Sequence, residues 1–444
     1  MDSVSNSGDG AGFTRRDFLK VTGSSLVGLS FSGLLAGGLR GASGKTITLG
    51  GIFSLSGPNA AVGRTIRNGA RVAVETVNSS GGVWNDLQFE LVVRDGETSQ
   101  TGASKAARGL AGRGDVDFVL GPLIGTHGRA TQPILDGAGV PQVFFGTDVG
   151  FTERHDEYPL SIRFGTQTSL QFAPPVKYAV RERGDEKLFL LVPKNNQGKS
   201  IKNVTESFLA ELEAGELVGS EFYPPFNRDF SSLMAKVLSS EAEGVVIGTG
   251  IPADLISVAR EFDRQGLDPE SFGYYTGQTP NGSVGFKKQV VDKGLGDGVI
   301  YSWHYEKRRY GRSFQGKNPP EEAVDMESAY REEYGSIPDS APSASWGWGS
   351  VRILKQAIEG LVAKYGRDQV MGGLNDGLSL ETINYLLPDD GENRGPVFRT
   401  PFGNASFLPC GQFNVRLGVA TIRNESQYLL EDRGYGDEIL PPLC

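Results

Sequence analysis

Short apolar runs that stop at glycine or proline and hand over to helix-period segments recur along this chain, and that recurrence constrains its fold more than any other feature. Thr46–Phe53 runs into Ser54, Leu55, Ser56, Gly57 and Pro58, and a helix over residues 63–78 follows with Ile66, Ala70, Ala73, Val74 and Val77 on one face. Gly81 and Gly82 end it. Phe89, Leu91 and Val93 then alternate as a strand, and Ala103, Ala106, Ala107 and Leu110 mark a second helix. Val116 to Leu120 is another apolar run, stopped by Gly121 and Pro122, after which Gly125, Thr126 and Gly128 open a helix carrying Ile134 and Leu135. Val140 to Phe145 comes next and opens into Gly146, Thr147 and Asp148. Repeated strand-then-helix units call for an α/β architecture with a parallel sheet covered on both faces.

The pattern restarts after Thr166. Strands are expected at residues 188–192, 245–247, 273–276 and 299–303, with helices at 200–213, 230–238 and 253–265. A polar stretch leads to helical segments at 320–334 and 343–365, and after Leu387 the sequence turns to short alternating runs separated by Gly403, Asn404, Gly411 and Asn424. A chain of 444 residues exceeds one ordinary core, so two domains of similar build are expected.

Charge narrows the partners. A formal net charge of -9 supplies no excess of Lys and Arg to neutralise phosphates, which argues against nucleic acid or an anionic membrane surface. Three histidines and two cysteines leave little material for a zinc site or redox centre, and no cofactor is expected. A bridge between Cys410 and Cys444 would contribute roughly 3 to 4 kcal/mol by closing its loop; two buried thiols are the alternative. In the parallel-sheet arrangement the loops at residues 121–126 and 145–148 lie at the carboxyl ends of adjacent strands, where N–H groups, hydroxyls and a helix N-terminus can hold a small polar ligand. The same residue types also serve as ordinary strand-to-helix connections.

At the N-terminus, TRRDFLK (residues 14–20) resembles a twin-arginine export motif, followed by a glycine- and serine-diluted apolar run to Leu39. That run is weakly apolar for a membrane span. Gly38 stands where a lipidated cysteine would be, so cleavage within residues 41–45 and no lipid anchor are expected. The expected location is extracytoplasmic, with no stable transmembrane span after processing.

Four separated stretches carry a family resemblance. Residues 49–82 (LGGIFSLSGPNAAVGRTIRNGARVAVETVNSSGG), 116–122 (VDFVLGP), 139–145 (GVPQVFF) and 398–413 (FRTPFGNASFLPCGQF) resemble the type I periplasmic binding proteins for branched-chain amino acids and amides. The resemblance implies two Rossmann-like lobes hinged by three crossovers, near residues 162–164, 300–303 and 400–403. It implies lobe I at residues 45–164 plus 304–400, lobe II at 165–303 plus 401–444, and residues 1–44 as leader and linker. It also implies capture of a small-molecule solute, an amino acid first and an amide or urea-like solute next, for delivery to an ABC permease and its ATPase.

By position, the resemblance assigns ligand contacts to Gly125 and Thr126 and to Gly146, Thr147 and Asp148 in the first lobe. In the second, Gln197 and Gln278 fall near positions where relatives offer an aromatic and an acid, and both are departures; Tyr275 reads either as a ligand shelf or as core. Asp148 could supply the missing charge for an ammonium, or the ligand could lack an amine. Val62 stands where an aromatic wall is common, and Trp346 or Trp348 could replace it; each also reads as core. His127 reads as a solvated helix residue beside the loop. Two other functions are open to such a chain. An exported cofactor enzyme would need a dinucleotide glycine pattern or a nucleophile elbow, and neither is present. A ligand-sensing partner of a membrane receptor shares the same sequence features.

Overall fold

The computed structural model describes residues 46–84, 87–281, 283–304, 320–367, 370, 378–388, 395–423 and 426–435. The expected leader lies outside these residues. Among the described residues no helix is long and apolar enough to cross a membrane.

Five parallel strands make the first sheet: β1 (Thr46–Phe53), β2 (Gln88–Asp95), β3 (Phe118–Leu120), β4 (Gln142–Phe144) and β5 (Ser161–Arg163), in the order β2-β1-β3-β4-β5. Helices α1 (Ala60–Ser79), α2 (Gln100–Ala111), α3 (Gly125–Asp136) and the short α4 (Val149–Thr152) connect them. β1 is an interior strand, buried from Ile47 onward, because a parallel strand covered on both faces cannot alternate polar with apolar. Its side chains divide by parity: Ile47, Leu49 and Phe53 join one core cluster and Ile52 joins another.

The same build follows. α5 (Thr168–Tyr178), β6 (Lys187–Pro193), α6 (Asn196–Leu212), β7 (Glu216–Tyr223), α7 (Ser231–Leu238), β8 (Gly244–Ile247), α8 (Pro252–Gln265), β9 (Gly273–Thr276), α9 (Val284–Gln289) and β10 (Ile300–His304) give a second parallel set in the order β7-β6-β8-β9-β10. After α10 (Glu321–Tyr334), α11 (Ala341–Tyr365) and α12 (Leu378–Leu386), strands β11 (Phe398–Thr400), β12 (Gly403–Phe407), β13 (Phe413–Arg423) and β14 (Ser426–Tyr435) extend that sheet antiparallel from β10. Both halves thus share one strand order, with the switch in direction beside the first strand of each.

β7 and α5 are among the elements that lie outside the sequence expectations. β7 is an edge strand whose residues are mostly half-exposed, so ELVGSEFY carries too little apolar signal to read as a strand. α5 contains Pro174 and Pro175, residues that normally end a helix. Pro175 cannot bond the carbonyl of Gln171, and the Ser302 hydroxyl donates to that carbonyl instead.

Helices α10 and α11 return to the first half. A Cβ on Gly69 of α1 would lie 2.1 Å from the Ala344 carbonyl oxygen, and one on Gly347 of α11 would lie 2.0 Å from that of Ile66, so these helices cross at backbone contact. Trp348 is fully buried, donating Nε1–H to Glu322 at 2.8 Å, while Arg352 pairs with the same carboxylate at 2.8 Å. It is core, not a ligand wall. Along β13 the chain passes between cores: Phe413, Val415 and Leu417 pack with the first half, and Ala420 and Ile422 with the second. Beside it, Arg163 N–H donates to the Gly411 carbonyl at 2.8 Å and Gln412 Nε2 to that of Gly165 at 3.3 Å, tying the crossing after β5 to the C-terminal segment. Cys410 is disulfide-bonded, and the chain's only other cysteine is Cys444, outside the described residues.

Candidate functional site

The loops after β3 and β4 meet. A Cβ on Gly125 would lie 2.4 Å from the Cβ of Asp148, and one on Gly146 would lie 2.2 Å from the Leu123 carbonyl oxygen, so both positions need glycine for the loops to approach. α3 starts at Gly125 with Ile124 as its N-cap, and an isoleucine has no side-chain acceptor to offer. His127 and Gly128 N–H turn back to the Ile124 carbonyl, which leaves the Gly125 and Thr126 N–H groups without an intrahelical partner. In the facing loop the Thr147 carbonyl accepts from Thr168 N–H and Oγ1–H, both at 3.1 Å. The Thr147 N–H and hydroxyl have no hydrogen-bond partner among the described residues. A cluster of uncommitted donors therefore stands at the carboxyl edge of the first sheet.

Arg163 holds this loop in place. It is fully buried and donates to the Asp148 carbonyl at 2.7 Å, to Thr152 Oγ1 at 2.6 Å and to Gln167 Oε1 at 3.0 Å. Burial pushes its pKa down to about 9, against the pull of Asp148 and Glu153, so the guanidinium stays protonated at neutral pH. The Asp148 carboxylate is engaged by Arg129 at 2.8 Å and accepts from Gly150 N–H at 3.1 Å. A charge already balanced in this way is not free to meet an ammonium. Sequence reasoning missed Arg129 and Arg163; only the fold brings either one to the loop.

The second half contributes the loops after β6, β8 and β9. Asn195 caps α6 by accepting from Gly198 N–H at 2.9 Å, and a Cβ on Gly250 would lie 2.9 Å from the Gln197 amide nitrogen, so Gln197 packs against the loop after β8. Thr279 Oγ1 donates to the Thr249 carbonyl at 3.3 Å, which joins that loop to the one carrying Gln278. The Gln278 amide nitrogen is buried without a hydrogen-bond partner. Gly277 beside it packs on Phe172, where an added Cβ would come within 2.8 Å of the ring. Phe172 is four residues along α5 from Thr168, about 6 Å of helix. One helical turn therefore links the Thr147 loop to the Gln278 loop. Ser283 and Ser340 also form an antiparallel bridge from the loop after β9 to the segment that opens α11.

Two further expectations change. Tyr275 is fully buried, with its hydroxyl on Asp185 and the Arg183 guanidinium 5.9 Å from its ring centre, away from the loops at the carboxyl edge. It belongs to the core beside β9, because successive strand residues face opposite sides and this side is packed by helices. His127 is buried rather than solvated, and loss of hydration lowers its pKa. Trp346 and Val62 are half-buried on the first core. Among the described residues no group of histidine, cysteine or carboxylate side chains could hold a metal.

Comparison with known proteins agrees with this fold. A family model described as periplasmic binding protein matches residues 46–402. A Leu/Ile/Val-binding protein homolog 7 from Brucella suis biovar 1 is 26% identical over 331 residues, covering 72% of this chain and 78% of that protein. The Leu/Ile/Val-binding protein BraC3 of Rhizobium johnstonii is 31% identical over 206 residues, covering 46% of this chain and 54% of its own. In fold, the chain resembles the branched-chain amino acid transporter substrate binding protein LivJ of Streptococcus pneumoniae in complex with isoleucine, with TM-score 0.67, 20% identity, and 87% and 99% of the two chains covered. It also resembles an ABC transporter solute binding protein of Rhodopseudomonas palustris BisB5 in complex with 3,4-dihydroxy benzoic acid, with TM-score 0.69, 16% identity, and coverage of 90% and 99%. The two relatives are named as binding proteins and the two solved structures as transporter binding proteins, none as an enzyme, which argues against the cofactor-enzyme alternative. The chain belongs to the periplasmic binding protein family, with the two-lobed type I fold.

Proposed function

We propose that this protein captures a small organic solute bearing a carboxylate between its two lobes and hands it to a membrane permease driven by an ATPase. The observation that carries the reading is the set of uncommitted donors, Gly125 and Thr126 N–H with Thr147 N–H and hydroxyl, at the carboxyl edge of the first sheet. Oriented donors at a helix N-terminus favour an anion by several tenths to about 2 kcal/mol per interaction. Relatives named for leucine, isoleucine and valine keep amino acids among the candidates, and neighbours holding benzoates add simple acids. We take Gly125, Thr126, Gly146, Thr147, Gln197 and Gln278 as ligand-facing. Asp148 shapes the loop through Arg129.

The lobe bounds are part of the same proposal: residues 45–164 with 304–400, and 165–303 with 401–444. The packing of Phe402, Phe407 and Phe413 with the first core supports shifting the last of these bounds from residue 401 to the third crossing within β13. Export by the twin-arginine route agrees with an extracytoplasmic post. A sensing role beside a receptor uses the same site, and the protein that co-purifies with it distinguishes the two.

Thr147→Ala tests the site. One net hydrogen bond of about 1 kcal/mol predicts a loss of roughly threefold to tenfold in affinity by calorimetry, with the melting temperature of the unliganded protein unchanged. Equal affinity would remove Thr147 from the site.

A further inference from the structure

The loops that face the candidate site carry almost no charge. Those after β1, β3, β4, β5, β6, β8 and β9 contain, among the described residues, one carboxylate, Asp148, and it is paired with Arg129 at 2.8 Å. The nearest other acids are committed or shut away. Asp95 accepts from Leu55 N–H at 2.8 Å, Ser56 N–H at 3.3 Å and Glu97 N–H at 2.7 Å, at the outer edge of the first sheet. Glu97 is exposed at that same edge strand. Asp254 is fully buried behind Thr249, whose hydroxyl donates to it at 3.3 Å. On the opposite rim Lys194 is exposed and has no ion pair among the described residues.

Two features ask for an acceptor. The first is the donor cluster around Thr147. The second is the Gln278 amide nitrogen, buried without a partner on the far side of the first turn of α5. A buried donor left unpaired costs about 1–3 kcal/mol, so a molecule that supplies an oxygen there is stabilised, while an ammonium would bring further donors to donors. A desolvated ammonium without a carboxylate is also strongly disfavoured.

We infer that the solute is a carboxylic acid that lacks an amino group, and that Gln278 is the residue that selects against amino acids. This rests on the solute-binding reading above. The carboxylate meets the donors of the first lobe, and the neutral amide of Gln278 meets an oxygen on the rest of the ligand. Amino acids of the same carbon skeleton are rejected because, among the described residues, no free negative charge awaits their ammonium.

Matched series separate the classes on the wild-type protein, with no variant required. One series is 4-methylpentanoate, L-leucine and 4-methylpentanamide; the other is 3-(4-hydroxyphenyl)propanoate, L-tyrosine and 3-(4-hydroxyphenyl)propanamide. Calorimetry is expected to show the acid binding on the order of tenfold or more tighter than the amino acid and the amide in at least one series. Gln278→Glu is expected to lose the acid and gain the amino acid, and Gln278→Leu to weaken the acid without gaining the amino acid. An amino acid or amide that binds wild type as well as its acid overturns this inference and leaves solute capture standing. Failure of every member of both series to bind overturns both. Unliganded melting temperatures matching wild type show that the variants are folded.

Discussion

Single side chains in this protein are often set by neighbours that sequence spacing does not reveal. Asp254 is an instance. It falls in the first turn of α8, where a carboxylate reads as a favourable helix-dipole residue, yet it is fully buried. Burial pushes its pKa up to about 6, against stabilisation of the charged form by the Tyr223 and Thr249 hydroxyls and the N–H groups of Asn227 and Phe226. A folded pKa above the ordinary 3.8 means the folded state holds more protons between these values, so this residue's contribution to stability falls as pH rises from about 4 to about 6. Asp254→Asn is expected to remove that fall, so its melting temperature gains on wild type across this window and holds the gain above it. Parallel profiles for the two proteins would rule this out. Tyr275 and Gln278 illustrate the reverse. Three positions apart at the end of one apolar run, they read alike as ligand candidates, but one ring lies on Asp185 and the other side chain ends in an unpaired buried amide.

Secondary-structure elements were legible wherever burial stamped a period on them. β1, α1 and α11 are covered by core on the faces their apolar residues predict. β7 was not, since an edge strand need bury little, and α5 was not, since its prolines are tolerated only because Ser302 satisfies the carbonyl that Pro175 leaves free. Glycine within helices shows the same dependence on context. Intrinsic propensity favours alanine over glycine by about 1 kcal/mol at an open helix position. Gly109 of α2 has open space around it, so Gly109→Ala is expected to stabilise by roughly 0.5–1 kcal/mol in urea unfolding. Gly69 of α1 abuts the Ala344 backbone, so Gly69→Ala is expected to destabilise by about 1–3 kcal/mol. A Gly69→Ala change that stabilises as Gly109→Ala does would mean that the α1–α11 crossing is not packed at backbone distance.

At the scale of the whole molecule, two sheets share one strand order, the first turn of α5 links the Thr147 loop of one half to the Gln278 loop of the other, and a segment near Gly411 braces the crossing after β5. The proposed leader would place this arrangement outside the cytoplasm, where the Cys410 disulfide is chemically at home. Exported protein is expected to begin within residues 41–45, and changing Arg15 and Arg16 to lysine is expected to hold the precursor inside the cell. N-terminal sequencing of the secreted fraction checks both, and export that survives the double change would discard the twin-arginine route. The amino-acid sequence by itself determined the βα repetition, the two-half build, the family and the loops that carry Gly125, Thr126, Gly146 and Thr147, because strand and helix periods and turn residues are local properties of a chain. Only the tertiary structure decided which donors stay unpaired, that Arg129 neutralises Asp148 and that Tyr275 is core, because charge balance and burial depend on groups far apart in sequence.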